Sequence, residues 1–355
     1  MVLHSNLVIL DGVRRHGPAL KMAATRYTMG QSSQNTRGLT LLFTHCIGSH
    51  KEQWGPTIER IFRQQQLKDE THRIREAWSF DWQNHGDSAV LNHEALIARP
   101  GGVSVYEWAS ALAAFVRSPR MKGHRIVVLG HSAGAGAIML STTDFPLSEI
   151  PYAAIVLVEP AMITRELFNA HLEDRMATMN FAVSSTSVRR DTWESREAAF
   201  KWFSRRYPWN TWDSRVVRIL AEQGLRDVAS KVTLKCDRKQ EAVSYPDAEG
   251  HFESTIILGR ICCAVPVHVV WGTNNDLIPE FIQESLCDTS EGRFVASVTR
   301  VKGAGHMVRC FYLTDASSAS DRHLKVVQEQ PDRLADSLCE ILDSVQIMEP
   351  TRSRL

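Results

Sequence analysis

The stretch HRIVVLGHSAGAGAIML, His124–Leu140, places Ser132 between an apolar run and a run of small residues. A serine here can cap a helix, because its oxygen accepts a hydrogen bond from an amide of the first turn. That role does not explain Gly130 and Gly134, which complete the pattern G-x-S-x-G. In this pattern the turn is so tight that the residues two before and two after the serine can carry almost no side chain. The serine itself has a strained backbone conformation that exposes its hydroxyl. The stretch therefore predicts a nucleophilic Ser132.

Two other glycine-rich motifs do not fit the same stretch. A phosphate-binding loop requires Gly-Lys-Ser or Gly-Lys-Thr, and neither follows Gly134. The run Gly134–Gly136 does not extend to the dinucleotide-binding fingerprint. The context of an apolar strand before Ser132 and a helix of small residues after it instead favours a nucleophile elbow.

Short apolar runs alternate with helical patterns along most of the chain, which predicts an α/β fold with a mostly parallel, doubly wound sheet. The segment 161–262 breaks this alternation and is predicted to be a helical cap inserted into a core formed by 1–160 and 263–349, with 350–355 as a tail. The six predicted strands are 38–44, 77–81, 124–129, 153–158, 266–271 and 293–301.

The composition excludes several classes of protein. Hydrophobic residues make up 43% of the 355 residues and can bury a sizeable core, while a net charge of +1 provides no field that would attract nucleic acid. No apolar run is long enough to predict a membrane span, and the first residues do not resemble a secretory signal. The cysteines lack the spacing of metal ligands, and no motif predicts a metal or an organic cofactor.

A nucleophilic serine needs a base and two donors to the oxyanion. His306 follows the last predicted strand, where the chain order of such sites places the base, with Gly303 and Gly305 predicted to allow a tight loop. The amide of Ala133 is the first predicted donor. The second is the amide of Ile47, in the loop after the strand 38–44.

Cys46 stands in that loop where such sites usually have glycine. A thiol can itself act as a nucleophile, but no base is adjacent to Cys46 in the sequence. The structural alternative for His306 is an ordinary histidine of a surface loop.

Two carboxylates compete to orient His306. Asp276 follows the penultimate predicted strand, and Glu159 directly follows the strand 153–158. A carboxylate that closes a buried run is costly unless it has a partner, and ligand sites of such sheets lie at this edge. Either residue could instead be a helix cap or part of a surface salt bridge, so both remain candidates.

These residues together resemble the α/β-hydrolase superfamily. The segment DWQNHGDSAVLN, Asp81–Asn92, resembles the signature D-x-x-N-Q-G-D-S-x-V-L-N of a fungal branch of it, with His85 in place of glutamine. That branch is similar to hydrolases of host-selective toxin biosynthesis, to a peroxisomal lipase and to the peroxisomal acyl-CoA hydrolase of mycophenolic acid biosynthesis. The last resemblance implies thioester hydrolysis and an acid at Glu159.

The final tripeptide, Ser353-Arg354-Leu355, is a variant of the S-K-L address that a peroxisomal import receptor recognises. It follows a polar tail. The sequence therefore predicts a peroxisomal location.

The predicted cap has a basic and aromatic segment, Arg189–Arg218, with eight Lys or Arg and four Asp or Glu. Trp202, Trp209 and Trp212 within it are predicted to contact the substrate. A basic rim over an aromatic lining suits an apolar acyl chain joined to coenzyme A, although such a pattern is also typical of a solvated helix face.

We therefore expect a peroxisomal serine hydrolase of esters or thioesters, with acyl-CoA as the leading substrate, in fungal secondary or lipid metabolism. An acyltransferase or lactone-forming enzyme could use the same acyl-enzyme. A protein of this fold could also be an inactive ligand-binding scaffold, although an intact Ser–His pair argues against that.

Overall fold

The computed structural model describes residues 1–12, 19–274, 278–305 and 326–345. The strands are β1 Leu3–Leu10, β2 Met22–Met29, β3 Leu39–Thr44, β4 Ile74–Phe80, β5 Arg125–His131, β6 Tyr152–Val158, β7 Thr192–Trp193, β8 Leu225–Val228, β9 Lys231–Leu234, β10 Val267–Asn274 and β11 Ser297–Gly305. The helices are α1 Gly55–Gln65, α2 Gly86–Leu91, α3 His93–Ile97, α4 Val105–Arg117, α5 Ala133–Ser141, α6 Arg165–Ala170, α7 Leu172–Val188, α8 Arg196–Phe203, α9 Ser214–Gln223, α10 Arg238–Ala242, α11 Glu249–Ile261, α12 Glu280–Ser285, α13 Val326–Glu329 and α14 Pro331–Ser344.

Eight strands form the central sheet in the order β1-β2-β4-β3-β5-β6-β10-β11. All neighbours from β4 to β11 are parallel, whereas β2 pairs antiparallel with both β1 and β4. The predicted mostly parallel α/β sheet is confirmed, and all six predicted strands belong to it. The hairpin β1–β2 was not predicted, and the last strand lies at 297–305 rather than 293–301. Gly303 and Gly305 consequently belong to β11 and not to a loop after it.

Apolar side chains cover both faces of this sheet. One cluster joins the sheet to α4, α5 and α11 through residues such as Trp108, Ile138 and Leu258. A second cluster joins the opposite face to α1 and α14 through residues such as Ile58 and Leu338. Burial on both faces explains why β3, β5 and β6 are continuous apolar runs.

The segment 161–262 contains helices α6–α11 and also a small antiparallel sheet in the order β7-β9-β8. It has a separate apolar cluster that includes Trp193, Phe203 and Trp212. The apolar side chains of the final helix α11 belong instead to the cluster around α4 and α5, against which Leu167 and Phe168 of α6 also pack. No helix in the described residues is both long enough and apolar enough to cross a bilayer.

The two aspartates of the segment Asp81–Asn92 surround a lysine whose side chain is fully buried. The Asp81 carboxylate accepts hydrogen bonds from the backbone N–H and the Nζ of Lys51, at 2.9 and 3.0 Å. Lys51 Nζ also donates to Asp87 at 2.6 Å. Burial alone would lower the pKa of Lys51, but Asp81, Glu52 and Asp87 together raise it above its ordinary value. The aspartates of the signature therefore hold a buried ammonium group and fix the loop after β4.

The end of the same segment is attached to the edge of β2. Ser88 Oγ accepts a hydrogen bond from the Ala23 amide at 2.8 Å. The Asn92 side chain accepts from the Lys21 amide at 2.8 Å and donates to the Lys21 carbonyl at 2.7 Å. Most polar residues of the signature therefore stabilise the fold through buried hydrogen bonds and ion pairs.

Candidate active site

Ser132 lies between the end of β5 and the start of α5 with a φ of 56° and a ψ of −117°. A Cβ at Gly130 would lie 2.6 Å from the backbone of Ala135, and one at Gly134 would lie 2.7 Å from the His45 carbonyl oxygen. Real Cβ atoms do not approach backbone so closely. The geometry therefore has the close approach and the left-handed serine that G-x-S-x-G predicts.

The backbone of Ser132 continues the pairing between β5 and β6. Its N–H donates to the Val158 carbonyl at 3.0 Å, and its carbonyl accepts from the Ala135 amide at 3.0 Å. The residue is 7% exposed and lines a cavity of about 530 Å³. Ser132 is thus held by hydrogen bonds on both sides while it faces an open space.

The loop after β3 and the start of α5 contribute the two predicted oxyanion donors. Ile47 and Ala133 both line the cavity with Ser132. In the described part of the chain, neither of their amides donates to a protein acceptor. The adjacent Gly48 amide, by contrast, donates to Nε2 of His85 at 3.1 Å. His85, the residue that departs from the signature, therefore accepts the hydrogen bond of the Gly48 amide in this loop.

Two buried histidines fix the loop, and both are neutral. Nδ1 of His45 donates to the Cys46 carbonyl at 2.8 Å, and its Nε2 accepts from the Trp82 amide at 3.1 Å. Nδ1 of His85 correspondingly donates to Asn84 Oδ1 at 2.7 Å. Burial lowers the pKa of His45 to about 3 and holds the pKa of His85 well below its usual range. The loop is therefore oriented by neutral imidazoles with defined tautomers.

Cys46 lies in this loop and lines the cavity, but its side chain is 1% exposed. Its Sγ accepts a long hydrogen bond from the side-chain amide of Gln328 at 3.8 Å.

Glu159 follows β6 with a φ of 46° and is 2% exposed. Its N–H donates to the Val270 carbonyl at 2.8 Å, and its Oε1 accepts from the amide of Gly272. Because Val158 pairs with His131, Glu159 lies beside Ser132 at the carboxyl edge of the sheet. Its side chain is directed along this edge toward β10.

His306 and Asp276 lie outside the described residues, as does the tripeptide Ser353–Leu355. The strands that lead to the first two are described. Gly305, the residue before His306, pairs with Asn274 near the end of β10. The strands β10 and β11 therefore end at the same edge of the sheet as β5 and β6, which Ser132 and Glu159 follow.

The cap covers this edge and supplies much of the cavity wall. Trp202, Trp209 and Trp212, the three predicted substrate-contacting tryptophans, all line the cavity that contains Ser132. Further apolar lining comes from α6, α7 and α12, including Phe168 and Ile282. The cavity is therefore suited to an apolar group.

An ion pair within the cap packs against the loop after β3, which is called the oxyanion loop below because it carries the predicted donor Ile47. Arg189, just after α7, makes two hydrogen bonds to Glu241 of α10, at 3.0 and 2.6 Å. A Cβ at Gly48, whose φ is +74°, would lie 2.7 Å from the Glu241 carboxylate. Burial would lower the pKa of Arg189, but Glu241 raises it. No sequence motif singles out Glu241; only its position in a buried turn of a polar helix could have indicated it.

Comparisons with known proteins agree with this arrangement. A model of the alpha/beta hydrolase family matches residues 41–320. The chain belongs to this family. A search of curated protein sequences finds no match.

Solved structures share the whole fold. A peroxisomal alpha-beta-hydrolase from Saccharomyces cerevisiae is 16% identical, with a TM-score of 0.73 over 99% of this chain and 91% of that one. E-2-(acetamidomethylene)succinate hydrolase is 16% identical, with a TM-score of 0.66 over 96% and 100% of the two chains. The thioesterase domain of the curacin biosynthetic pathway is 12% identical, with a TM-score of 0.61 over 97% and 100%. At these identities the likeness concerns the fold.

The neutral His85 predicts acid sensitivity. Below its ordinary pKa of 6.5 the unfolded chain binds a proton at this ring and the folded chain does not, so stability falls as the pH falls. In a His85→Gln variant, the loss of unfolding free energy between about pH 7.5 and about pH 5 should be smaller by about 2 kcal/mol. Urea denaturation of both proteins at both pH values measures this, and an equal loss in the two would contradict the neutral assignment.

Proposed function

We propose that this protein is a serine hydrolase that cleaves an ester or thioester through an acyl-enzyme on Ser132. The observation that supports this most directly is the left-handed Ser132 at the wall of a cavity that Ile47 and Ala133 also line. A capping serine needs neither the strain nor the cavity, and in this structure Ser132 makes no side-chain cap to α5.

In the proposed reaction, Ser132 Oγ attacks the acyl carbonyl while His306 accepts the hydroxyl proton. The amides of Ile47 and Ala133 stabilise the negative charge on the carbonyl oxygen, and the positive end of α5 adds to this. The bond to the leaving alcohol or thiol then breaks, and His306 returns the proton to that group. Water, activated by His306, cleaves the acyl-enzyme in the same way.

Glu159 is the acid that we propose to orient His306. Its carboxylate is buried beside Ser132 and already accepts one hydrogen bond from β10, the strand next to the one that leads to His306. A buried carboxylate stabilises an imidazolium strongly, because little water competes with it.

The charges of the cavity support an anionic substrate, with acyl-CoA as the leading compound. Four arginines line it, namely Arg175, Arg189, Arg190 and Arg206, whereas Glu241 is the one acid among the described lining residues. Glu241 is already paired with Arg189. Because the rest of the lining is mostly apolar, the cavity combines features suited to an acyl chain and to a negatively charged group.

We also propose that the protein acts in peroxisomes, on the basis of its final tripeptide. One protein of the same fold is named as peroxisomal, and another as a thioesterase domain, so neither the location nor the reaction is foreign to this fold.

Replacing Ser132 by alanine should lower kcat by several orders of magnitude, because the attacking group is lost; the oxyanion donors remain and can support a small residual rate. The measurement is steady-state hydrolysis of acyl-CoA and acyl ester substrates. Wild-type protein should also react with a fluorophosphonate probe, and the variant should not. A folded Ser132→Ala protein with nearly normal turnover would exclude the proposed nucleophile.

The two candidate acids can be separated by amide replacement. Glu159→Gln keeps the shape but removes the charge that stabilises the imidazolium, which should lower kcat by up to about 10⁴-fold. Asp276→Asn is the matched control and should lose far less. The kcat values are compared after both variants are shown to melt at the temperature of the wild type. A larger loss of kcat in Asp276→Asn than in Glu159→Gln would assign the role to Asp276.

Removal of Ser353, Arg354 and Leu355 should leave a fluorescently tagged protein in the cytosol, because the import receptor reads the terminal tripeptide. Hydrolase activity of the lysate should be retained. Continued import of the truncated protein would contradict the assignment of this address.

A further inference from the structure

A second cavity of about 520 Å³ adjoins the one that contains Ser132. It is lined by Lys201, Trp202, Arg205, Arg206 and Tyr207. Trp202, Arg206 and Tyr207 line both cavities. The two cavities are therefore neighbours that share part of their walls.

The lining of this second cavity carries three cations and no acid. Lys201 lies in the last turn of α8, where the helix dipole favours positive charge, and Arg205 lies in the turn just after the helix. In the part of the chain that the structure describes, the carboxylate paired with Lys201 is that of Glu197, at 3.9 Å. Among the described residues, no carboxylate lies within salt-bridge distance of Arg205 or Arg206. The three cations repel one another, and an anion with more than one charge would relieve this.

Two aromatic side chains, Trp202 and Tyr207, line the second cavity together with the cations. The guanidinium of Arg206 lies over the ring of Trp202, at 5.3 Å from its centroid. Tyr207 is 41% exposed. A planar base can stack on such groups while phosphate groups contact the guanidinium and ammonium groups.

We infer that the second cavity binds the phosphate-bearing end of the leaving group, while the acyl group occupies the cavity at Ser132. This rests on the proposed hydrolase function, because only a leaving group joined to the scissile carbonyl connects the two cavities. The ligand class is a thiol or alcohol with a long arm that ends in a phosphorylated nucleoside, as in coenzyme A. A free fatty acid or a simple ester would leave the second cavity unused.

The test compares an acyl-CoA with the same acyl group on N-acetylcysteamine, which has no phosphate. In the double variant Lys201→Gln/Arg205→Gln, the ratio of kcat/KM for the CoA thioester to that for the short thioester should fall about fivefold. Added salt should lower this ratio in the wild type more than in the variant. Lys231→Gln, a surface substitution on β9, is the matched control and should keep the ratio.

Binding measured without turnover distinguishes the two proposals. Adenosine 3′,5′-bisphosphate, titrated calorimetrically into the Ser132→Ala protein, should bind, and the two charge substitutions should weaken that binding. If thioesters are cleaved but the double variant changes neither the kcat/KM ratio nor the binding of the bisphosphate, the second cavity does not bind the phosphate-bearing end and the hydrolase function stands. If neither thioester is cleaved but the double variant loses binding of the bisphosphate, the second cavity is a phosphate-binding site and the proposed reaction is wrong.

Discussion

The left-handed backbone at Ser132 is the constraint on which the site depends. A positive φ at a residue other than glycine costs about 1–3 kcal/mol and persists only when the surroundings impose it. Here the preceding strand β5 is buried between β3 and β6, and the Ser132 amide is bonded to the Val158 carbonyl. The chain must then reverse within one residue to begin α5, and only small residues at 130 and 134 allow that approach.

Strain of the same kind occurs at the end of the neighbouring strand. In the described residues, three side-chain-bearing residues have a positive φ, namely Ser132, Glu159 and Ala229. Two of them follow adjacent parallel strands and lie side by side at the carboxyl edge. Strained backbone is concentrated at functional sites. The strain at Glu159 therefore supports its candidacy as the acid, which its position in the sequence alone does not distinguish from that of Asp276.

The sequence predicted the parts of the fold that have continuous apolar runs. β3, β5 and β6 are buried on both faces, so their composition alone marks them. β1 is largely exposed, and its residues Leu7 and Ile9 point away from the core, so no buried run revealed it. The strands β7–β9 are only two to four residues long, which is too short to show a period of two within a helical segment. For the site, G-x-S-x-G located Ser132, whereas the Arg189–Glu241 pair joins residues 52 positions apart and has no local pattern.

Neutral side chains hold the loop after β3, whereas charged side chains of the cap line the cavity. Around the oxyanion loop, His45 and His85 are neutral, so the loop presents fixed dipoles and not a mobile charge. Fixed dipoles need little reorganisation when negative charge develops, which is the condition for strong stabilisation. Arg189 is neutralised by Glu241, while Arg205 and Arg206 at the second cavity have no such partner among the described residues. In the proposed reaction, a negatively charged leaving group would therefore be attracted to Arg205 and Arg206, and the loop amides would remain available to the carbonyl oxygen.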